Sequence, residues 1–229
     1  MTKFAKKFAP AGVVIAAVAA FVAPMAAHAQ TGVGVADISR AIISTTALQS
    51  AYSQVNTTYA TQLQSRQTKQ QQLTELLRPF DSNGDGQIGE TELPAVQNSP
   101  NFAQFQTLES EIATLNSQVN NARIYAVEQV LAQYPAALQE IATAQNIAVV
   151  LQPDAVQYAG ESADLTGAIT ASLNSKVPSA GITPPANWRP SRQGAQIFQE
   201  IQQYLIAAQL RQQAAQQQQQ PAQQAPQGR

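Results

Sequence analysis

Residues 81–92 read D-S-N-G-D-G-Q-I-G-E-T-E, and on either side of them apolar residues recur at spacings of three and four. Upstream the series is Leu48, Tyr52, Val55, Tyr59, Leu63, Arg66, Gln70, Leu73 and Leu77. Downstream it is Phe105, Leu108, Ile112, Leu115, Val119, Ala122 and Ala126, widened by Val127, Val130, Leu131 and Tyr134. This spacing marks the seam of paired helices, with Arg66 and Gln70 as polar interruptions. Pro79 stops the first helix, and Ser99-Pro100-Asn101 precedes a second that starts near Phe102 and bends at Pro135. At about 1.5 Å per residue each arm of the resulting hairpin is roughly 45–65 Å long. A hairpin of that length cannot bury its seam in a globular core of its own. It projects as an arm or belongs to an oligomer.

The loop at the bend matches a calcium-binding EF-hand at every ligand position. Asp81, Asn83 and Asp85 stand at positions 1, 3 and 5, where side-chain oxygens meet a hard cation. Gly86 takes the sharp turn at position 6, where φ is positive. Gln87 offers its carbonyl at position 7, Gly89 binds through a water at position 9, and Glu92 is the bidentate carboxylate at position 12. A surface turn rich in Asn, Asp and Gly is the plainer alternative. Such a turn needs neither Glu92 nor the apolar Ile88 at position 8. A lone hand with Pro94 close behind it is expected to hold Ca2+ weakly, at about 10⁻⁴–10⁻³ M.

Outside the hairpin the pattern changes. Val33-Gly34-Val35-Ala36 reads as a strand, and Asp37 or Ser39 caps a helix after it. Ile147–Leu151 is an apolar run typical of a buried strand, and Val156–Tyr158 reads as another after a turn at Pro153-Asp154. Asp164 then opens a helix with Leu165, Ile169 and Leu173 on one face. Three short strands are too few for an isolated domain, so a base shared among several chains is implied. Ser179 to Pro190 has a linker composition with Trp188 as its one large anchor. Gln193 to Gln213 reads equally as a docking helix, with Ile197, Ile201, Leu205 and Ala208 on one face, or as part of a disordered Gln-rich tail.

The first 29 residues have the form of an export signal: Lys3, Lys6 and Lys7, an apolar stretch over 11–23, and Ala27-His28-Ala29 as the cleavage pattern. The apolar run falls short of the ~20 residues that span a bilayer, so a membrane anchor is the weaker reading. Cleavage removes His28, the only histidine, and the chain has no cysteine. Zinc sites, thiol nucleophiles and histidine triads are thereby excluded. Lys69 and Lys176 remain without a motif around either, no phosphate cradle appears, and an enzyme is not expected. Ten basic residues then face fourteen acidic ones, a poor balance for binding nucleic acid.

Two patches bracketing the hairpin resemble the Skp/OmpH family of periplasmic chaperones. They are V-G-V-A-D-I-S-R-A-I from Val33 to Ile42, and I-A-T-A-Q-N-I-A-V-V-L-Q-P-D-A-V-Q-Y-A from Ile141 to Ala159, running on into S-A-D-L-T-G-A-I-T-A-S-L-N. The resemblance covers about residues 33–177. It implies a mostly α fold in which a short-stranded β-barrel body, built by a homotrimer, carries long helical tentacles around a cavity. In such a cavity unfolded outer-membrane proteins are held in the periplasm without ATP. The implied organisation is a signal (1–29), a chaperone domain (30–177) and a linker with Gln-rich tail (178–229). Within the domain, 33–47 and 141–177 form the body and 48–140 the hairpin. The family's better-known members are basic with cationic tips, whereas this tip carries Asp81, Asp85, Glu90 and Glu92. The functional expectation is a holdase for outer-membrane precursors with a calcium-ordered tip. The alternatives are a calcium-binding coiled-coil structural or adhesion protein of the cell envelope and, last, a calcium sensor.

Overall fold

The structure, a computed structural model, describes residues 32–219, with side chains through Gln216. The expected export signal and the end of the Gln-rich tail lie outside the described residues.

Strand β1 (Gly32–Val35) leads into α1 (Ile38–Ile43), whose N-terminus is closed by Asp37 accepting the Arg40 amide at 2.9 Å. Thr45 caps α2 (Thr46–Thr58) by accepting the Leu48 amide. The first limb of the hairpin is therefore not one helix: it breaks at Tyr59 (φ −100°, ψ 21°) and continues as α3 (Ala60–Leu77). Just before the break the Thr57 hydroxyl donates back to the Ser53 carbonyl, a bond that bends helices. Pro79 lies in a 3₁₀ turn at Arg78–Phe80. After the loop come the short α4 (Leu93–Gln97) and the long α5 (Phe102–Leu131). The return limb breaks two residues before Pro135, which sits in the first turn of α6 (Tyr134–Ala144), where its missing N–H costs nothing.

Strand β2 (Ile147–Leu151) pairs in parallel with β1, Val33 opposite Val149 and Val35 opposite Leu151. The hairpin is thus the crossover between two parallel neighbours. Gly34 is required at its place, because a Cβ there would meet Leu165 Cδ1 at 2.5 Å. Helix α7 (Thr166–Lys176) packs beside the sheet, and the Leu165 amide donates to the Val35 carbonyl at 2.8 Å. The core gathers Ile42, Leu48, Val55, Val119, Val127, Val130, Leu165, Ile169 and Leu173, all essentially inaccessible.

Two expectations are corrected. Val156–Tyr158 is not a strand: Pro153–Ala155 forms a 3₁₀ turn, the segment finds no ladder partner, and Tyr158 is 90% exposed. The sheet is accordingly a two-stranded ribbon and not a barrel, its one further pairing among the described residues being the single bridge from Val35 to Asp164. The linker-like stretch is also packed: Ala180 and Ile182 are buried against the core. Of the two readings for the C-terminal segment, the helix forms. It is α8 (Arg192–Gln219), with Ile197, Phe198 and Ile201 buried.

Candidate functional site

The tip loop is held by its own side chains. Asp81 accepts the amides of Gly84 and Gly86, both at 2.8 Å, and these are the two glycines with positive φ (75° and 79°). Asn83 Oδ1 accepts the Asp85 amide at 2.9 Å, and Asp85 Oδ1 accepts the Gln87 amide at 2.8 Å. The side chains at positions 1, 3 and 5 therefore fold back against the loop's own amides. Glu92 closes the ring from the other side. Its Oε1 accepts the Ser82 amide and hydroxyl at 2.6 and 2.7 Å, and its Oε2 accepts the Gly89 amide at 3.0 Å. Residue 92 is only 5% exposed. The Ser82 hydroxyl, followed by the backbone amides of Gly89 and Ser82, holds the Glu92 carboxyl down at about 2. Ser82 was not among the expected site residues. Its signal was a hydroxyl at loop position 2, next to the first ligand.

Four of the six expected residues, Asp81, Asn83, Asp85 and Glu92, are tied into this hydrogen-bonded unit by their side chains, and Gln87 and Gly89 join through their amides. Asp81, Asp85 and Glu92 nevertheless do not converge as a three-carboxylate cluster among the described residues. Beneath the loop, Phe80 meets Phe105 edge-on with ring centroids 5.9 Å apart, and Val96, Phe105 and Leu108 are buried outside the main core. The tip carries a small apolar centre of its own.

Between tip and body runs a loosely closed shaft. No residue of α3 is buried, and neither is any α5 residue from Glu109 to Gln118. The two helices are bridged by polar pairs, Arg66 to Asn116 at 3.2 Å and Lys69 to Glu111 at 2.6 Å. An open groove of about 320 Å³ lies beside the second pair, lined by Ser65, Ser110, Thr114 and Leu115 as well. Arg66 Nε and Gln62 Oε1 are enclosed there without a partner. The polar interruptions in the heptad thus produce an incompletely packed seam. Uncovered large apolar side chains occur elsewhere: Val33 and Val149 opposite each other on the sheet, and Tyr204, Leu205, Ile206 and Leu210 along α8. Among the described residues no helix is long and apolar enough to cross a membrane.

A family model described as outer membrane protein (OmpH-like) matches residues 32–173, which takes in both strands, the whole hairpin and most of α7. No curated protein matches the chain. Among solved structures the chain is similar to a candidate outer membrane chaperone (OmpH-like) from Caulobacter crescentus CB15. The two share 18% identity over 70% of this chain and 95% of that one, with a TM-score of 0.39. Likeness at that level carries no argument about shape or activity.

Proposed function

Because the chain belongs to the OmpH-like outer membrane protein family, we propose that it is a periplasmic holdase that keeps unfolded outer-membrane proteins soluble without ATP. Three copies would join through their sheets and enclose the client between their arms. The loop at Asp81, Asn83, Asp85, Gln87, Gly89 and Glu92 would bind Ca2+ and stiffen each tip.

The observation that carries this reading is the shaft. A stable spacer closes its heptad seam, whereas here no residue of an 18-residue helix is fully buried against its partner. An arm of that kind can bend and presents half-covered apolar positions such as Leu63, Leu73, Ile112 and Leu115 between polar ones. Many weak contacts of this sort hold a chain of varied sequence without fixing its shape. Neither ATP nor chemistry is needed, which agrees with a cysteine-free chain whose only histidine lies in the expected signal. The calcium proposal is supported by the match of the loop to the motif position by position and by Gly86 at positive φ (79°) where the motif demands it.

The deciding experiment follows the turbidity of a urea-unfolded porin on dilution. The mature protein is expected to suppress it without ATP, and a variant with residues 60–120 replaced by a short turn to do so poorly. Equal suppression by both would place the working surface in the body. Suppression by neither would leave the calcium-binding structural or adhesion protein as the better reading.

A further inference from the structure

The family match ends at residue 173, yet the chain comes back along the arm it has already built. Gln129 of α5 holds the backbone of Gly181 twice, accepting its amide at 2.9 Å and donating to its carbonyl at 2.8 Å. The Trp188 ring stands edge-on to Tyr125 with centroids 5.4 Å apart. Its indole N–H donates to Glu128 Oε2 at 3.1 Å, while Glu128 Oε1 accepts the Ser191 amide at 2.6 Å. Ser191 in turn accepts the Gly194 amide in the first turn of α8, and a Cβ on Gly194 would run into the Glu128 side chain. One carboxylate on the arm therefore receives both the strap and the start of the C-terminal helix, where the helix dipole favours negative charge.

The other end of the attachment is on the body. Ile197 and Ile201 of α8 enter the main core, Ser39 of α1 donates to Glu200, and the Tyr204 hydroxyl donates to Asp37, the cap of α1. The strap also passes the level at which the first limb breaks, for the Tyr59 hydroxyl approaches the Ile182 carbonyl at 3.4 Å. Arm, break and body are joined by one segment.

We propose that residues 178–204 are an intramolecular clamp that sets the angle and stiffness of the arm at its root, with Glu128 as the latch. Undocking the strap removes the support from the Tyr125–Gln129 stretch of α5, so that this limb can bend at the level where the other limb already breaks at Tyr59, while the core formed by α1, α2 and α7 stays in place. The consequence for client size rests on the holdase reading. The movement itself does not, so the two can fail separately.

The chain has no cysteine, so Gln87→Cys at the tip and Ser175→Cys on the body give a unique pair of spin labels. Labelled chains are diluted into unlabelled protein so that only distances within one chain are read. The intact protein is expected to show a narrow distance distribution, and Glu128→Ala to broaden it and move its mean, with exchange protection lost over 180–191. If Glu128→Ala does not fold, Gln129→Ala, which frees only Gly181, decides by the same readout. Protection lost with the distance distribution unchanged would overturn the clamp, leaving the segment as a cover for the core. Protection unchanged would overturn the latch. If the distances respond and porin turbidity does not, the clamp stands and its link to client holding falls.

Discussion

Glu92 receives four hydrogen bonds across the loop, from Ser82 twice, Asn83 and Gly89. Those donors favour the ionised carboxylate, which is why the group is held near 2 and not at its ordinary 4.5. A carboxyl depressed in this way stabilises the folded loop above pH 4.5 and stops doing so as the pH falls toward 2. The Ser82 and Gly89 amide resonances are therefore expected to shift together with a midpoint near 2, and Glu92→Gln to abolish that titration. A midpoint near 4.5 would show the carboxylate free in solution. The same substitution tests the cation. Calorimetry should give Ca2+ binding at about 10⁻⁴–10⁻³ M to the mature protein and none to Glu92→Gln, and equal heats from both would dismiss the loop as a calcium site. At Gly34 the constraint is space. A methyl group there collides with Leu165, itself 1% exposed, so Gly34→Ala is expected to cost about 1–3 kcal/mol and several degrees in Tm. An unchanged melting curve would mean that the sheet and α7 separate easily.

Among the elements, α5 and α3 face each other but differ in what holds them. Leu108, Val119, Ala122, Ala126, Val127 and Val130 of α5 are buried, whereas α3 has no such residue. Backbone amides of residues 60–77 are thus expected to exchange faster than those of 119–130 by about tenfold or more, equivalent to roughly 1.4 kcal/mol. Replacing Arg66 and Asn116 together by Leu closes the seam and should remove most of that difference. Equal exchange in the unaltered protein would contradict an open shaft. The heptad spacing made both limbs readable, and Arg66 and Gln70 marked in advance where the seam would be poor. Pro79 and Pro135 located two boundaries to within a few residues because proline acts locally. The break at Tyr59 was not legible, for it lies inside an unbroken apolar series with neither proline nor glycine to mark it. Val156-Gln157-Tyr158 had strand-like composition but no neighbour, and a strand needs a partner more than it needs propensity. The strap was hidden for the converse reason. Pro, Gly and Ala describe a flexible linker until Gln129, Glu128 and Tyr125 are seen to fold against it. The loop's residues could be matched to a motif one by one, but not that Glu92 would use its oxygens on Ser82 and Gly89.

For the whole molecule the sheet poses the largest question. Apart from one bridge between Val35 and Asp164, the two parallel strands have no further strand partner among the described residues, and parallel sheets are ordinarily covered on both faces. Val33 and Val149, opposite one another, are 54% and 48% exposed. Each half-exposed side chain forgoes about 1 kcal/mol of burial, roughly half of what full burial of a valine contributes. A chain without disulfides has little to set against such a loss. In the proposed trimer neighbouring copies would cover this surface, far along the arm from the tip loop. Light scattering is expected to give three times the chain mass with calcium and equally with a chelator. Val149→Asp should reduce it to one chain, because a carboxylate would then be buried without a partner. Helical circular dichroism should largely survive that substitution, since the core of α1, α2, α5 and α7 lies within one copy. A trimer that falls apart on chelation would move the assembling contact from the sheet to the tips. A Val149→Asp protein that stays trimeric would exclude this face, and α8, with Tyr204, Leu205, Ile206 and Leu210 uncovered, would be the surface to alter next.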